Sequence, residues 1–238
     1  MKSIRAICFD LDNTLWDVWP VIRRAEQVVY DFLAERYPKA VENLSIESMR
    51  DARVKMALDY PHMAHDFSFL RRRQLLEQAV ASGYDPSMSD EAFEVFMAAR
   101  NEVQLYDDVP DALEKLHRHY RLFTASNGNA DLNRIGLGHL FERTVAARDV
   151  GALKPDPLVF RKVIEGTDLA PQEVLFVGDD PELDVEGARR VGMQPVWVNR
   201  TQAEWPGHLE VPVHSVTSLT ELVAMLGLGA NTVPSTLR

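Results

Sequence analysis

Asp10, Leu11, Asp12, Asn13 and Thr14 follow an apolar run over residues 4–9 that only Arg5 interrupts. Side chains alternate along an extended segment, so carboxylates two positions apart point the same way, and the end of a buried strand presents such a pair together. Like charges that close are unfavourable unless a cation sits between them or one keeps a proton. The pair therefore points to a metal site, to acid/base chemistry, or to both. Asp, Asn and Thr are also ordinary turn residues, and taken alone the segment reads equally well as a solvated turn.

Three more polar clusters, each after another apolar run, break that tie. Residues 121–125 lead into Ser126-Asn127-Gly128. Residues 143–147 precede a loop that reaches Lys154-Pro155-Asp156-Pro157, and residues 174–177 end in Gly178-Asp179-Asp180, with Asp184 beyond. Helical patterns over 111–119, 131–140, 157–165 and 181–191 separate the runs. Strands alternating with helices imply parallel pairing through right-handed crossovers, which places every strand's carboxyl end on one edge of the sheet. Ligands bind along that edge in open sheets of this kind. Two carboxylates, a hydroxyl, a lysine and a further acidic group thus gather in one crevice. The expected fold class is α/β, a Rossmann-like parallel sheet.

The combination resembles the haloacid dehalogenase superfamily, in particular its metal-dependent phosphatase branch. The matching motifs are Asp-x-Asp-x-Thr at Asp10, Asp12 and Thr14; the Ser/Thr motif at Ser126, followed by Asn127; the lysine motif at Lys154; and Gly-Asp-x-x-x-x-Asp at Gly178, Asp179 and Asp184. The resemblance spans residues 4 to about 200. It implies that Asp10 attacks phosphorus and forms an aspartyl phosphate, while Asp12 protonates the leaving oxygen and then activates water. It also implies Mg2+ held by Asp10, the Asp12 backbone carbonyl and Asp179, with phosphate bound by Thr14, Ser126, Asn127 and Lys154. Asp184 and Asp180 are expected to support the metal ligands or to replace one of them. Asp179 ranks first among these acids.

Residues 16–104 interrupt the alternation with a wholly helical pattern. Val18, Val21, Ile22, Ala25, Val28, Val29, Phe32 and Leu33 recur at helical spacing, and further helices are expected over 45–59, 67–82 and 89–104. By resemblance this segment is a helical cap, inserted into a core formed by 1–15 and 105–226, with 227–238 a loose tail. Substrate choice is expected in the cap, from Trp16, Trp19, Arg71, Arg72 and Arg73. Successive helical residues point about 100° apart, so at least one of the three arginines must face solvent. His62 and His65 are read as solvated or hydrogen-bonded, since the family chemistry needs no histidine.

A chain of 238 residues, 46% hydrophobic, can bury one sizeable core plus an inserted module, and a net charge of −10 argues against nucleic acid or an anionic membrane as partner. The single cysteine, Cys8, lies in the first apolar strand and excludes an internal disulfide. With no apolar span of membrane length and no signal-peptide pattern, a cytoplasmic monomer or homodimer is expected. The expected activity is Mg2+-dependent hydrolysis of a small phosphate ester, a sugar phosphate or nucleoside monophosphate. The alternatives are a metal-free dehalogenase, disfavoured by Asp12 and Asp179, a phosphosugar mutase, and a catalytically silent module that senses a phosphorylated metabolite.

Overall fold

The apolar run is unbroken over residues 6–9 because that strand lies at the centre of a covered sheet. In the computed structural model, which describes residues 3–228, β1 (Ala6–Phe9) pairs in parallel with β2 (Arg121–Ser126) on one side and β4 (Val174–Gly178) on the other. Ala6 and Cys8 face one helical layer while Ile7 and Phe9 face the opposite one. The first layer contains α7 (Ala147–Val150), α8 (Pro157–Ile164) and α9 (Gly187–Arg190); the second contains α5 (Val109–His117) and α10 (Leu219–Met225). A strand covered on both faces has no polar side to alternate with. With β3 (Arg143–Ala146), β5 (Gln194–Val198) and β6 (His214–Val216), the six strands run in the order β3-β2-β1-β4-β5-β6, all parallel. The order reverses direction at β1, so the crevice beyond β1, β2 and β4 is the one a ligand would use.

The helical segment holds α1 (Val18–Arg36), α2 (Ile46–Asp59), α3 (Phe67–Ala81) and α4 (Ser87–Arg100). Asp17, Ser45 and Asp66 cap the first three, each accepting hydrogen bonds from the first-turn amides. Val21, Ala25, Val29 and Leu33 are the inward stripe of α1, and most of it joins Leu75, Met88 and Phe96 in a separate core. The chain enters and leaves this unit side by side. Trp16 bridges Leu105 in antiparallel fashion, and the Tyr106 amide donates to the Leu15 carbonyl at 3.0 Å.

Three expected helices end earlier or change form. The pattern over 89–104 stops at Arg100, because Asn101 turns its side-chain amide back to the Met97 carbonyl and the chain then extends toward Leu105. The pattern over 131–140 breaks after α6 (Leu132–Ile135), where Gly136 takes a left-handed φ of 91° that ends an α-helix. Residues 181–191 begin as a π-helical turn, Pro181–Glu186, in which the Val185 amide reaches the Asp180 carbonyl, and only then become α9. Of the expected tail, Gly227 and Leu228 close the end of α10 with amide bonds to Ala224 and Val223; the remaining residues of that tail lie outside the described residues.

Candidate active site

Asp10 leaves the end of β1 almost wholly buried. Its Oδ1 accepts from Lys154 Nζ at 2.5 Å, and its Oδ2 accepts from the Thr14 hydroxyl at 3.3 Å. Lys154 is 3% exposed and donates a second bond to Asp184 at 2.7 Å, so one ammonium joins two buried carboxylates. The same hydroxyl lies 3.2 Å from Asp179 Oδ1, so its one proton is shared between the two carboxylates. Carboxylate oxygens of Asp10, Asp179 and Asp184 all lie within 4.8 Å of one another.

Burial pushes the Asp10 carboxyl well above the usual carboxylate range, against the pull of Lys154. Burial and the neighbouring Asp184 push Asp179 up to about 7. Burial acts the other way on Lys154, but the Asp10 and Asp184 carboxylates outweigh it and raise its pKa, keeping the ammonium charged. The acids are thus crowded beyond what one lysine relieves, and all are hard oxygen donors.

Asp12 faces the same cavity, a space of about 300 Å³ also lined by Asp10, Ser126, Lys154, Asp179 and Asp184. Two donors fix its carboxylate. Trp16 Nε1 donates to Oδ1 at 2.8 Å, and Arg100 Nη2 donates to Oδ1 and Oδ2 at 2.7 and 2.9 Å. Glycine at 128 makes room for this, since a Cβ there would stand 2.5 Å from Asp12 Oδ2.

The remaining expected residues divide. Ser126 lines the cavity and its Oγ accepts from the Gly128 amide at 2.9 Å. Asn127 turns its side chain to the Lys154 backbone, accepting from its amide at 2.7 Å and donating to its carbonyl at 3.2 Å, so it steadies the lysine instead of projecting its amide toward a phosphate. Thr14, expected on phosphate, spends its hydroxyl on the two carboxylates. Asp180 caps the following turn through the Glu182 and Leu183 amides and is absent from the carboxylate trio.

The expected specificity residues also separate. Trp16 does not line the cavity: it is fully buried in the sheet's core, and the indole that was expected to meet substrate instead orients Asp12. Trp19 is 62% exposed on the cavity wall. Arg72 pairs with Asp90 and Glu94, and Arg73 with Tyr60 and Glu77, all at the surface away from the cavity, so neither reaches it. Arg71 alone turns inward. Sequence reading missed Arg100, whose position at the end of a helix, remote in sequence from Asp12, gave no signal. It also missed Arg200, which donates to the Thr14 carbonyl at 3.0 Å while gripping Asp108 with two parallel bonds.

Residues 4–192 match the family model of haloacid dehalogenase-like hydrolases. The chain is 31% identical to a 5-amino-6-(5-phospho-D-ribitylamino)uracil phosphatase, YigB, of Escherichia coli strain K12, over 94% of this chain and 98% of that one. It is similar to the crystal structure of a 2-haloacid dehalogenase from Pseudomonas syringae pv. Tomato DC3000, with a TM-score of 0.88 and 35% identity over 95% of this chain and all of the other. It is also similar to a phosphatase structure from Thermococcus onnurineus, with a TM-score of 0.68 and 28% identity over 94% of this chain and 98% of that one.

Proposed function

The chain belongs to the haloacid dehalogenase-like hydrolases, and from that footing we propose that it hydrolyses small phosphate esters through an aspartyl-phosphate intermediate. One observation carries the choice of phosphate over halide: a second carboxylate, Asp12, faces the same cavity as Asp10 and is held in place by Trp16 and Arg100. An alkoxide is a poor leaving group until it is protonated, whereas halide departs without a proton. Displacement of halide needs neither an acid for the leaving group nor a cation ligand, the two roles proposed here for Asp12 and Asp179.

In the proposed reaction an Asp10 oxygen forms a bond to phosphorus. The P–O bond to the leaving group breaks, and that oxygen keeps the electron pair and takes a proton from Asp12. Asp12, now a carboxylate, removes a proton from water as the water oxygen attacks phosphorus. The bond from phosphorus to Asp10 then breaks and the free carboxylate returns. Lys154 favours the ionised form of Asp10 against the burial that opposes it and orients its carboxylate, and Ser126 offers its hydroxyl to the phosphate.

The crowded carboxylates fit a small, hard cation. Asp10, Asp179 and the Asp12 backbone carbonyl would hold Mg2+, which when bound supplies positive charge against the phosphoryl oxygens. Asp184 is engaged by Lys154 and by the Asp180 amide at 3.0 Å, which supports a role in positioning them. We assign α1–α4 as the cap, with specificity in its cavity-facing residues, and the cytoplasm as the compartment; among the described residues no helix is long and apolar enough to cross a membrane.

Phosphate release from a panel of phosphorylated metabolites, with Mg2+ and after chelation, tests the proposal. Chloride release from 2-chloropropanoate in the same preparation tests the dehalogenase reading. Turnover of an ester that depends on the metal is expected; chloride release that survives chelation, without phosphate release, would overturn the assignment.

A further inference from the structure

A second cavity of about 330 Å³ adjoins the first on the helical side, and Ile22, Phe67 and Asn129 line both. Its walls are mostly apolar, from Val54, Leu70 and Phe96, but two guanidinium groups, Arg53 and Arg71, also line it. A single buried carboxylate, Glu26, serves both of them and Arg50 as well. Arg50 and Arg53 hold its oxygens at 2.6 and 2.8 Å, while Arg71 stands 3.8 Å away. Arg50 has other acids near it, Glu47 and Asp51, so the uncompensated charge falls on the two arginines that line the cavity.

Arg71 is 7% exposed and stacks over Phe96, its guanidinium carbon 3.5 Å from the ring centroid. Among the described residues no hydrogen bond reaches that guanidinium. Arg100, one turn beyond Phe96 on the same face of α4, lines the first cavity and gives its Nη2 to Asp12, so the open donors of the helical cavity are those of Arg71. A guanidinium carries five donors, and leaving them unmade in a buried site is costly. An anion entering this space would receive bonds that the protein itself leaves open.

We infer that the helical cavity is a subsite for a second anionic group, so that the preferred substrate is a phosphate ester whose leaving group ends in a carboxylate or another phosphate, joined by a short apolar stem. The juxtaposition of Arg71 and Arg53 with apolar walls, opening beside Asp10 and Asp12, carries this. The inference rests on the phosphatase reading, and it narrows the substrate from phosphate esters in general to doubly anionic ones. The stem would lie against Ile22 and Phe67, where the two cavities meet.

The test compares three series of matched chain length, roughly two to six carbons: n-alkyl phosphates, ω-carboxyalkyl phosphates and α,ω-alkanediol bisphosphates, assayed on the full chain with Mg2+. At one or more lengths an anionic series is expected to exceed the n-alkyl ester in kcat/KM by about tenfold or more, chiefly through KM, and whichever series does so identifies the anion. Arg71→Gln should abolish that difference, and Arg53→Gln, a more exposed site that is safer for folding, should reduce it. Equal cleavage of all series at every length by the unaltered enzyme would overturn the subsite and leave the phosphatase reading standing. So would an advantage that survives Arg71→Gln. If no ester is cleaved, the phosphatase reading fails, and thermal shifts decide the subsite. A rise in Tm with α,ω-alkane bisphosphonates but not with n-alkylphosphonates would sustain it, and no such difference would overturn it.

Discussion

Arg100 and Asp12 meet across the cavity from two structural units: the guanidinium at the end of α4 bonds both oxygens of a carboxylate just past β1. The proposed acid/base is therefore oriented by the helical unit and not by the sheet alone. Removing that hold with Arg100→Met should lower kcat by about 10- to 100-fold, with a smaller change in KM for a minimal ester. Arg100→Lys should recover part of the loss. Equal loss in both variants, tracking a fall in Tm, would mean that Arg100 serves packing only.

Asp10→Asn should reduce turnover by about a thousandfold or more, because the amide fills the same space but cannot attack phosphorus. Circular dichroism and Tm check the fold. Mass spectrometry should find the phosphorylated adduct on the parent enzyme when turnover is quenched in acid, and none on the variant.

Asp12→Asn should be selective in its damage. Esters with good leaving groups need little protonation, so their first step should suffer less than that of alkyl esters. Rates of enzyme phosphorylation across a leaving-group series measure this, and a uniform loss would remove Asp12 from the acid role.

Chelation should remove activity and Mg2+ restore it, while Ca2+, with its larger and looser shell, should support it poorly. Asp179→Ala should raise the Mg2+ concentration required far more than Asp184→Ala. The latter should instead lower Tm, since Asp184 holds both Lys154 and the Asp180 amide. Titrating Mg2+ against activity and Tm for both variants separates the two roles.

A stability test away from the chemistry uses Asp108. Burial opposes its ionisation, but the Arg200 fork and the Leu219 amide outweigh burial and hold its carboxyl below the usual range. The sign follows: a depressed native pKa stabilises the fold above the unfolded value of about 4, and the contribution is lost as pH falls through the native value. Asp108→Asn should cost about 2 kcal/mol at neutral pH and less in acid. Urea titrations at pH 7 and pH 3 measure the difference.

Four strands of the sheet and the edge they share were legible because apolar runs followed by Asp10, Ser126, Lys154 and Asp179 repeat one local pattern, and parallel topology turns that repetition into a shared location. β5, β6 and α10 were not read from the sequence. Arg100, Trp16 and Arg71 were not legible in their actual settings, because a side chain's partner in a helical insertion depends on tertiary docking. Spacing showed that one of Arg71, Arg72 and Arg73 must face solvent, but not which; burial singles out Arg71 as the inward one. Thr14 and Asn127 matched a motif, yet their hydrogen-bonding capacity goes to neighbouring protein groups.

The central place of β1 has a consequence for biosynthesis. Its two sheet neighbours begin at Arg121 and Val174, so the strand that leads to Asp10 leaves the ribosome well before either of the strands that flank it. The whole of α1–α4 emerges while that strand still waits. The carboxylate proposed as nucleophile has no complete pocket until residue 184 has emerged, and a nascent chain cut short of that point holds all of α1–α4 and no complete site.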